Sequence, residues 1–406
     1  MPDERIPPRL QLPYSDLMFQ DVLARFAVSR RGLLGGATLA GLAALPGRLA
    51  GKAERLKITR IELFRVAVPM QEDIINSPEF SPDPLTEFPA IPKFILKLHT
   101  DSGIVGIGET ARGLAEEGVR RNVEFLVGKN ILDLNLSRLE LPYPGAYSGF
   151  ESALYDALGK AVGWPVWRLL GGLAQERVLV NYWCGRKNPQ DMRRVAERAV
   201  AGNFRGIKIK GRPGDPVVKA VEAIAAVSPA LKVTVDFNGY HDVAEFLPIG
   251  RALDAIGNVE VIEDPITKSD LAGYAELCRL LKTPIALHLA SPKAMIEAIG
   301  ASACSVFNTG PAPSMESFIA NAYLAGAVGI PVWHGSGHEL GILDAAMAHA
   351  CAAAANCTLA SDILSYQRVD DLVVRPIEIR DSFALVPQAP GLGVELDEDA
   401  VRRYRA

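Results

Sequence analysis

From residue 178 onward the chain alternates short apolar runs with amphipathic stretches, and that strict alternation leaves room for few folds. The pattern predicts strands over 178–184, 206–210, 232–236, 259–263, 285–288, 303–308 and 331–333. It predicts helices over 189–201, 216–227, 243–256, 270–281, 292–299, 315–327 and 341–355. Strand–helix units of this length imply an α/β fold with a parallel sheet. Seven strands without a glycine-rich dinucleotide fingerprint favour a TIM-type barrel over a doubly wound sheet.

In a parallel barrel the strand ends open onto one face, so charged residues far apart in sequence converge there. Lys208 and Lys210, then Asp236, then Glu263 each close a predicted strand, in GIKIK, KVTVD and VEVIE. One charged residue beside a strand is ordinary; three sites in one repeating pattern are a candidate active site. Two carboxylates can hold a divalent metal while a lysine acts as a base. Lys208 and Lys210, two apart on one strand face, each lower the other's basicity by like-charge repulsion. Either can be the base that removes a proton next to a substrate carboxylate, with the metal stabilising the enediolate.

The first part of the chain has a different texture. Apolar alternation from Leu56 to Val68 and again at 94–98 predicts two strands, the second closing in the turn Asp101, Ser102, Gly103. The proline-rich stretch 70–92 between them predicts a long loop, read as an active-site lid. Helical segments follow Glu109, one of them over 150–162, and 377–396 again reads as strand and turn. The expected layout is a capping domain over 54–175 plus 377–398 and a barrel over 176–376. Arg30 and Arg31, ahead of a short apolar run ending at Pro46, predict a twin-arginine export signal over 1–53, a partnership with that export machinery and a periplasmic or secreted destination. The run is too short for a permanent membrane span.

With 406 residues, 49% hydrophobic and 22% charged, the chain has material for a large core. A net charge of -4 without a basic cluster argues against nucleic acid as a partner. Five cysteines without metal-finger or Cys-x-x-Cys spacing give no disulfide framework, although an oxidising compartment permits one bridge.

The motifs Gly106-Ile107-Gly108-Glu109, Ile207-Lys208-Ile209-Lys210, Val235-Asp236-Phe237-Asn238, Glu263-Asp264-Pro265 and Trp333 through Ile342 together resemble the enolase superfamily. The likeness is to its mandelate racemase, muconate lactonizing enzyme and glucarate dehydratase branches, and it spans nearly all of 56–396. The resemblance implies an α+β N-terminal capping domain over a modified (β/α)7β-type TIM barrel, Mg2+ as the metal, a small-molecule carboxylate as substrate and a homo-oligomer. Asp236 and Glu263 then fall at metal-ligand positions.

Two positions depart from the pattern. The family carries an acid, or an Asn, after the fifth strand, where this chain has His288. Imidazole is a poor Mg2+ ligand and suits Mn2+, Fe2+ or Zn2+, so either the metal differs or the site is weakened. After the sixth strand Asn308 stands where racemases carry a charged residue, and it cannot serve as a base on the opposite face. These departures lead to an expectation of dehydration of a sugar acid, with His334 or His338 as the acid that expels a hydroxyl. Glu339 is expected to orient a catalytic group, and Asn238, Asn308 and Arg112 to contact substrate. The alternatives are a racemase or epimerase of the same family, and a non-catalytic periplasmic carboxylate-binding protein.

Overall fold

The alternating half of the chain folds as a curled sheet of seven parallel strands in sequential order. They are β5 (Tyr182–Trp183), β6 (Gly206–Lys210), β7 (Lys232–Asp236), β8 (Val259–Glu263), β9 (Ile285–His288), β10 (Val306–Asn308) and β11 (Val332–Trp333). The computed structural model describes residues 55–406 apart from 73, 84–86, 88–91 and 311–313, so the expected export segment lies outside the described residues. Helices α4 (Pro189–Ala201), α5 (Val217–Val227), α6 (Val243–Ile256), α7 (Leu271–Leu280), α8 (Pro292–Gly300), α9 (Met315–Gly326) and α10 (Gly341–Ala353) follow the successive strands. Their starts are written locally: Asn188 accepts from the Asp191 N–H at 2.8 Å, and Asp242 with Glu245 forms a capping box.

Side chains alternate across the strands with period two. Ile207, Ile209, Val233, Val235, Ile262, Leu287 and Phe307 join the core shared with the helices, while Val261, Ala286, Val306 and Trp333 form a separate small cluster on the other face. Two residues further along that second face come Glu263, His288 and Asn308. The register pairs Lys210 with Asp236, Asp236 with Glu263, and Asn308 with His288. Period and register together therefore bring the charged strand ends to one rim.

The first predicted strand, 178–184, is divided into β4 (Arg177–Leu179) and β5. Between them the backbone changes partner: the Val180 N–H donates to the Ser382 carbonyl at 2.8 Å, and the Tyr366 hydroxyl donates to the Asn181 carbonyl at 3.0 Å. The segment after α10 closes the gap in the sheet. Val332 N–H meets the Asn356 carbonyl at 2.9 Å, Asp362 N–H the His334 carbonyl at 2.7 Å, and Ser361 N–H the Leu179 carbonyl at 2.8 Å.

The N-terminal part is an antiparallel sheet of β1 (Ile58–Val66), β2 (Lys93–Thr100) and β3 (Val105–Glu109). Helix α1 (Glu116–Leu126) precedes α2 (Tyr147–Val162), which packs on β3, and the short α3 (Val166–Leu169) leads to the barrel. A Cβ at Gly108 would lie 2.0 Å from the Gly149 carbonyl oxygen, so only glycine admits this approach. Segment 377–398, expected to return to the capping domain, supplies β12 (Ile379–Arg380) and β13 (Phe383–Leu385), and β13 pairs with β4. After it, α11 (Glu398–Arg403) leads the chain end to β1, where the Ala406 N–H donates to the Arg65 carbonyl at 2.9 Å. No helix among the described residues is long and apolar enough to cross a membrane. All five cysteines are free.

Two buried carboxylates of the cap join it to the barrel. Glu109, paired with Lys93, accepts the N–H groups of Leu340 at 2.7 Å and Leu343 at 3.1 Å, at the start of α10. Glu151 accepts those of Met315 at 2.7 Å and Glu316 at 3.1 Å, at the start of α9. Unpaired N–H groups of a helix's first turn are natural partners for carboxylates. Burial nevertheless raises the Glu151 pKa to about 8, outweighing the two N–H groups that lower it. The folded protein thus holds a proton that the unfolded chain releases near pH 4.5, so this contribution to stability is complete below pH 4.5 and is lost as pH rises through about 8. The melting temperature is expected to fall from pH 5.5 to 8.5, with a shallower fall in Glu151→Gln; equal slopes by calorimetry would rule out this residue as a source.

Candidate active site

Lys208 is buried beneath the rim and pinned from two sides. Its ammonium lies 2.7 Å from Asp362 Oδ2 and 2.9 Å from Glu263 Oε2, with the Trp333 ring 5.6 Å away. Burial alone disfavours the charged form, but Asp362, Glu263 and Asp236 outweigh it and raise the pKa above the ordinary lysine value. Lys210 stands one step higher and contacts Asp236 Oδ2. Asp236 also accepts the Asn238 backbone N–H at 2.8 Å and its side-chain amide at 3.0 Å, while Asn238 Oδ1 accepts from Arg212 at 2.9 Å. Burial pushes the Asp236 pKa up, and the two lysines more than reverse this, leaving it below the usual range.

Glu263 behaves differently: the lysines do not outweigh its burial and the Asp236 charge. Burial first, then the Asp236 charge, raises its pKa. Asn308 donates to its Oε1 at 2.6 Å, and His288 Nδ1 lies 3.6 Å from the same oxygen. Burial and then Lys268 lower the His288 pKa to about 3, which keeps the imidazole neutral. Asn308 is fixed in turn: its Oδ1 accepts the N–H groups of Gly310 and Gly335, both at 2.9 Å. Its amide is committed to positioning.

Nine of the residues selected from sequence line one cavity of about 160 Å³: Lys208, Lys210, Asp236, Asn238, Glu263, His288, Asn308, His338 and Arg112. His334 and Glu339 line a neighbouring cavity of about 280 Å³ under the cap, with Met315, Leu343, Ala346 and Met347 as its apolar wall. Arg112 and Gly337 border both. Burial lowers the Arg112 pKa, partly offset by Glu339. His338 holds a backbone φ of 66°, packs edge-on against Trp183 and bonds Gln367 through Nδ1 at 2.9 Å. Both ring nitrogens of the buried His334 lack a hydrogen-bond partner among the described residues. Burial lowers the pKa of both histidines. Glu339 is taken up within its own loop, by the Ser336 hydroxyl and the Gly337 N–H. His349, read from its helix face as structural, is buried, with Nε2 3.1 Å from the Leu392 carbonyl oxygen.

Sequence reading missed Asp362, which anchors Lys208 and joins it to the 334–339 loop. Its only signal was the Ser361-Asp362 pair ending a long apolar run. Trp183, read as a strand residue, also lines the rim cavity, and Trp333 lies beside Lys208.

The donor set accommodates a divalent cation. Asp236 and Glu263 end adjacent strands and repel each other, and Glu263 Oε2 has no well-aligned hydrogen bond among the described residues despite the nearby Lys208. His288 adds a neutral nitrogen. Glu263, Asp264 and His288 also place one donor atom each within 4.8 Å of one another; Asp264 Oδ1 accepts the His288 N–H at 2.9 Å, and its Oδ2, 2.9 Å from Lys268, is like Glu263 Oε2 without a well-aligned hydrogen bond among the described residues.

The family described as "Enolase C-terminal domain-like" matches residues 191–400, and "Mandelate racemase / muconate lactonizing enzyme, N-terminal domain" matches residues 91–171. The chain belongs to the enolase superfamily. Members of this superfamily use a divalent metal, typically Mg2+. An N-succinylamino acid racemase of Thermus thermophilus is 34% identical over 268 residues, 64% of this chain and 71% of that protein. Muconate cycloisomerase 1 of Pseudomonas putida is 27% identical over 343 residues, 76% of this chain and 89% of that protein. The crystal structure of muconate cycloisomerase from Pseudomonas fluorescens superposes with a TM-score of 0.74 at 26% identity, covering 86% of this chain and 99% of that one. These relatives are racemases and cycloisomerases, which favours the racemase and muconate-lactonizing alternative over sugar-acid dehydration.

The Asn308 anchor has a testable consequence. A Cβ at Gly335 would lie 2.2 Å from Asn308 Nδ2, so Gly335→Ala must displace either the amide or the loop. Overpacking of this kind costs about 1–3 kcal/mol. The urea midpoint should fall accordingly; an unchanged midpoint would mean that the loop is free to shift.

Proposed function

We propose that this enolase-superfamily protein is a divalent-metal-dependent proton-transfer enzyme of the cycloisomerase kind, acting on a small carboxylate from one face of its α-carbon. The observation that carries the reading is the asymmetry of the rim: two lysines stand on one side, and a neutral, fully committed Asn308 on the other. Lys210 is assigned as the base because it is the outer lysine and contacts a single carboxylate. Lys208, held cationic by Asp362 and Glu263, is assigned to stabilise negative charge developing on the substrate. Asp236, Glu263 and His288 are the residues that would hold the cation, whose charge makes a carboxylate's α-proton easier to remove.

The cavity beside the rim supports an isomerase acting on a substrate with an apolar portion. Met315, Leu343, Ala346 and Met347 give it one apolar wall, and Arg112, Ser148, Ser314 and His334 place polar groups around the rest. Of the relatives' reactions, the cycloisomerase kind suits a single base best. A two-base racemase would need His334 or His338 as its second acid–base group, and burial lowers the pKa of both, which disfavours the protonated form that must return a proton to the opposite face.

Incubation of N-acylamino acids and unsaturated dicarboxylates with metal-loaded protein in D2O, followed by NMR, tests the proposal. The expected result is entry of one deuterium at the α-carbon, with configuration kept in an N-acylamino acid and on a single face in the ring-closed product of an unsaturated dicarboxylate. Lys210→Ala should slow it by about 10²–10⁴-fold without unfolding the protein, the range for loss of a positioned base. Undiminished exchange in that variant would remove Lys210 from the role. Equal labelling of both enantiomers would establish two-base racemisation instead, and no exchange with any acid would favour a binding protein.

A further inference from the structure

We infer that the cation site, taken as proposed above, prefers a dication that accepts nitrogen, such as Mn2+, Fe2+ or Zn2+, over Mg2+, because His288 supplies its third donor. The ring is placed for that use. Its Nδ1 lies 3.6 Å from Glu263 Oε1, and it lines the same cavity as Asp236 and Glu263.

Its backbone is held on both sides. The His288 N–H donates to Asp264 Oδ1 at 2.9 Å, and its carbonyl accepts from Lys268 Nζ at 3.0 Å. Asp264 thus positions the histidine through Oδ1, while its Oδ2, 2.9 Å from Lys268, has no well-aligned hydrogen bond among the described residues. The remaining carboxylate in the cavity lining, Asp362, is bonded to Lys208 at 2.7 Å. Beside the carboxylates His288 brings the imidazole: it, Glu263 and Asp264 each place a donor atom within 4.8 Å of one another, and it shares the cavity lining with Asp236 and Glu263. Mg2+ demands a regular shell of oxygens and gives up water reluctantly, whereas first-row transition ions take imidazole readily.

The readout is spectroscopic and independent of turnover. Full-length protein is loaded with Mn2+ and examined by electron spin echo envelope modulation, with natural-abundance and 15N-histidine-labelled samples. Modulation from a directly bound 14N nucleus is expected, replaced by the 15N pattern on labelling and lost in His288→Asp. Equilibrium dialysis should show Mg2+ displacing Mn2+ more easily from that variant than from the parent protein. The labelled parent gives the answer even where the variant does not fold. Bound Mn2+ without histidine modulation would overturn this inference and leave the cation site standing. Failure of the parent protein to bind Mn2+ at all would overturn both.

Discussion

The site depends on opposite charges buried side by side at the ends of neighbouring parallel strands. A lone carboxylate or ammonium in this interior would be driven to its neutral form by lost hydration. Lys210 lies against Asp236, and Lys208 against Glu263 and Asp362, and these pairings favour the charged forms of Lys208 and Asp236 despite their burial. The pairing follows from strand register, which sets these side chains across from one another before any ligand arrives. Glu263 is the exception that makes the rim useful. Its shift toward the protonated form reflects burial and the Asp236 charge, and added positive charge would relieve that strain.

The cap is tied to this rim through helix ends. Glu109 and Glu151 occupy the first turns of α10 and α9, so cap strands and barrel helices share buried polar contacts. On the other side, Arg186 grips Asp215 at 2.6 Å and reaches Asp83 at 3.3 Å, linking the described part of the predicted lid to the barrel. Arg212, near Asp83 at 3.6 Å, donates to Asn238, which in turn orients Asp236. A continuous polar path thus runs from loop to rim carboxylate.

Much of this was legible because period and spacing are local. The strand ends at Lys210, Asp236, Glu263 and His288 are visible as short apolar runs closing on a charged or polar residue, and strand order does the rest. Asp362 was not legible, since it lies in no strand and acquires its meaning only by folding back to Lys208. The division of 178–184 escaped for a similar reason: Ser382 and Tyr366, which interrupt it, are some 200 residues away in sequence. The sugar-acid expectation rested on what Asn308 cannot do as a base. Its commitment to Glu263, Gly310 and Gly335, and the apolar wall beside the rim, belong to packing that no spacing rule reports.

Anomalous diffraction from crystals grown with Mn2+ examines the centre of the account most directly. It predicts one strong peak within bonding distance of the Asp236 and Glu263 carboxylates and the His288 ring, with Lys210 facing the same space. A peak elsewhere, or those carboxylates holding only lysines at saturating Mn2+, would contradict it.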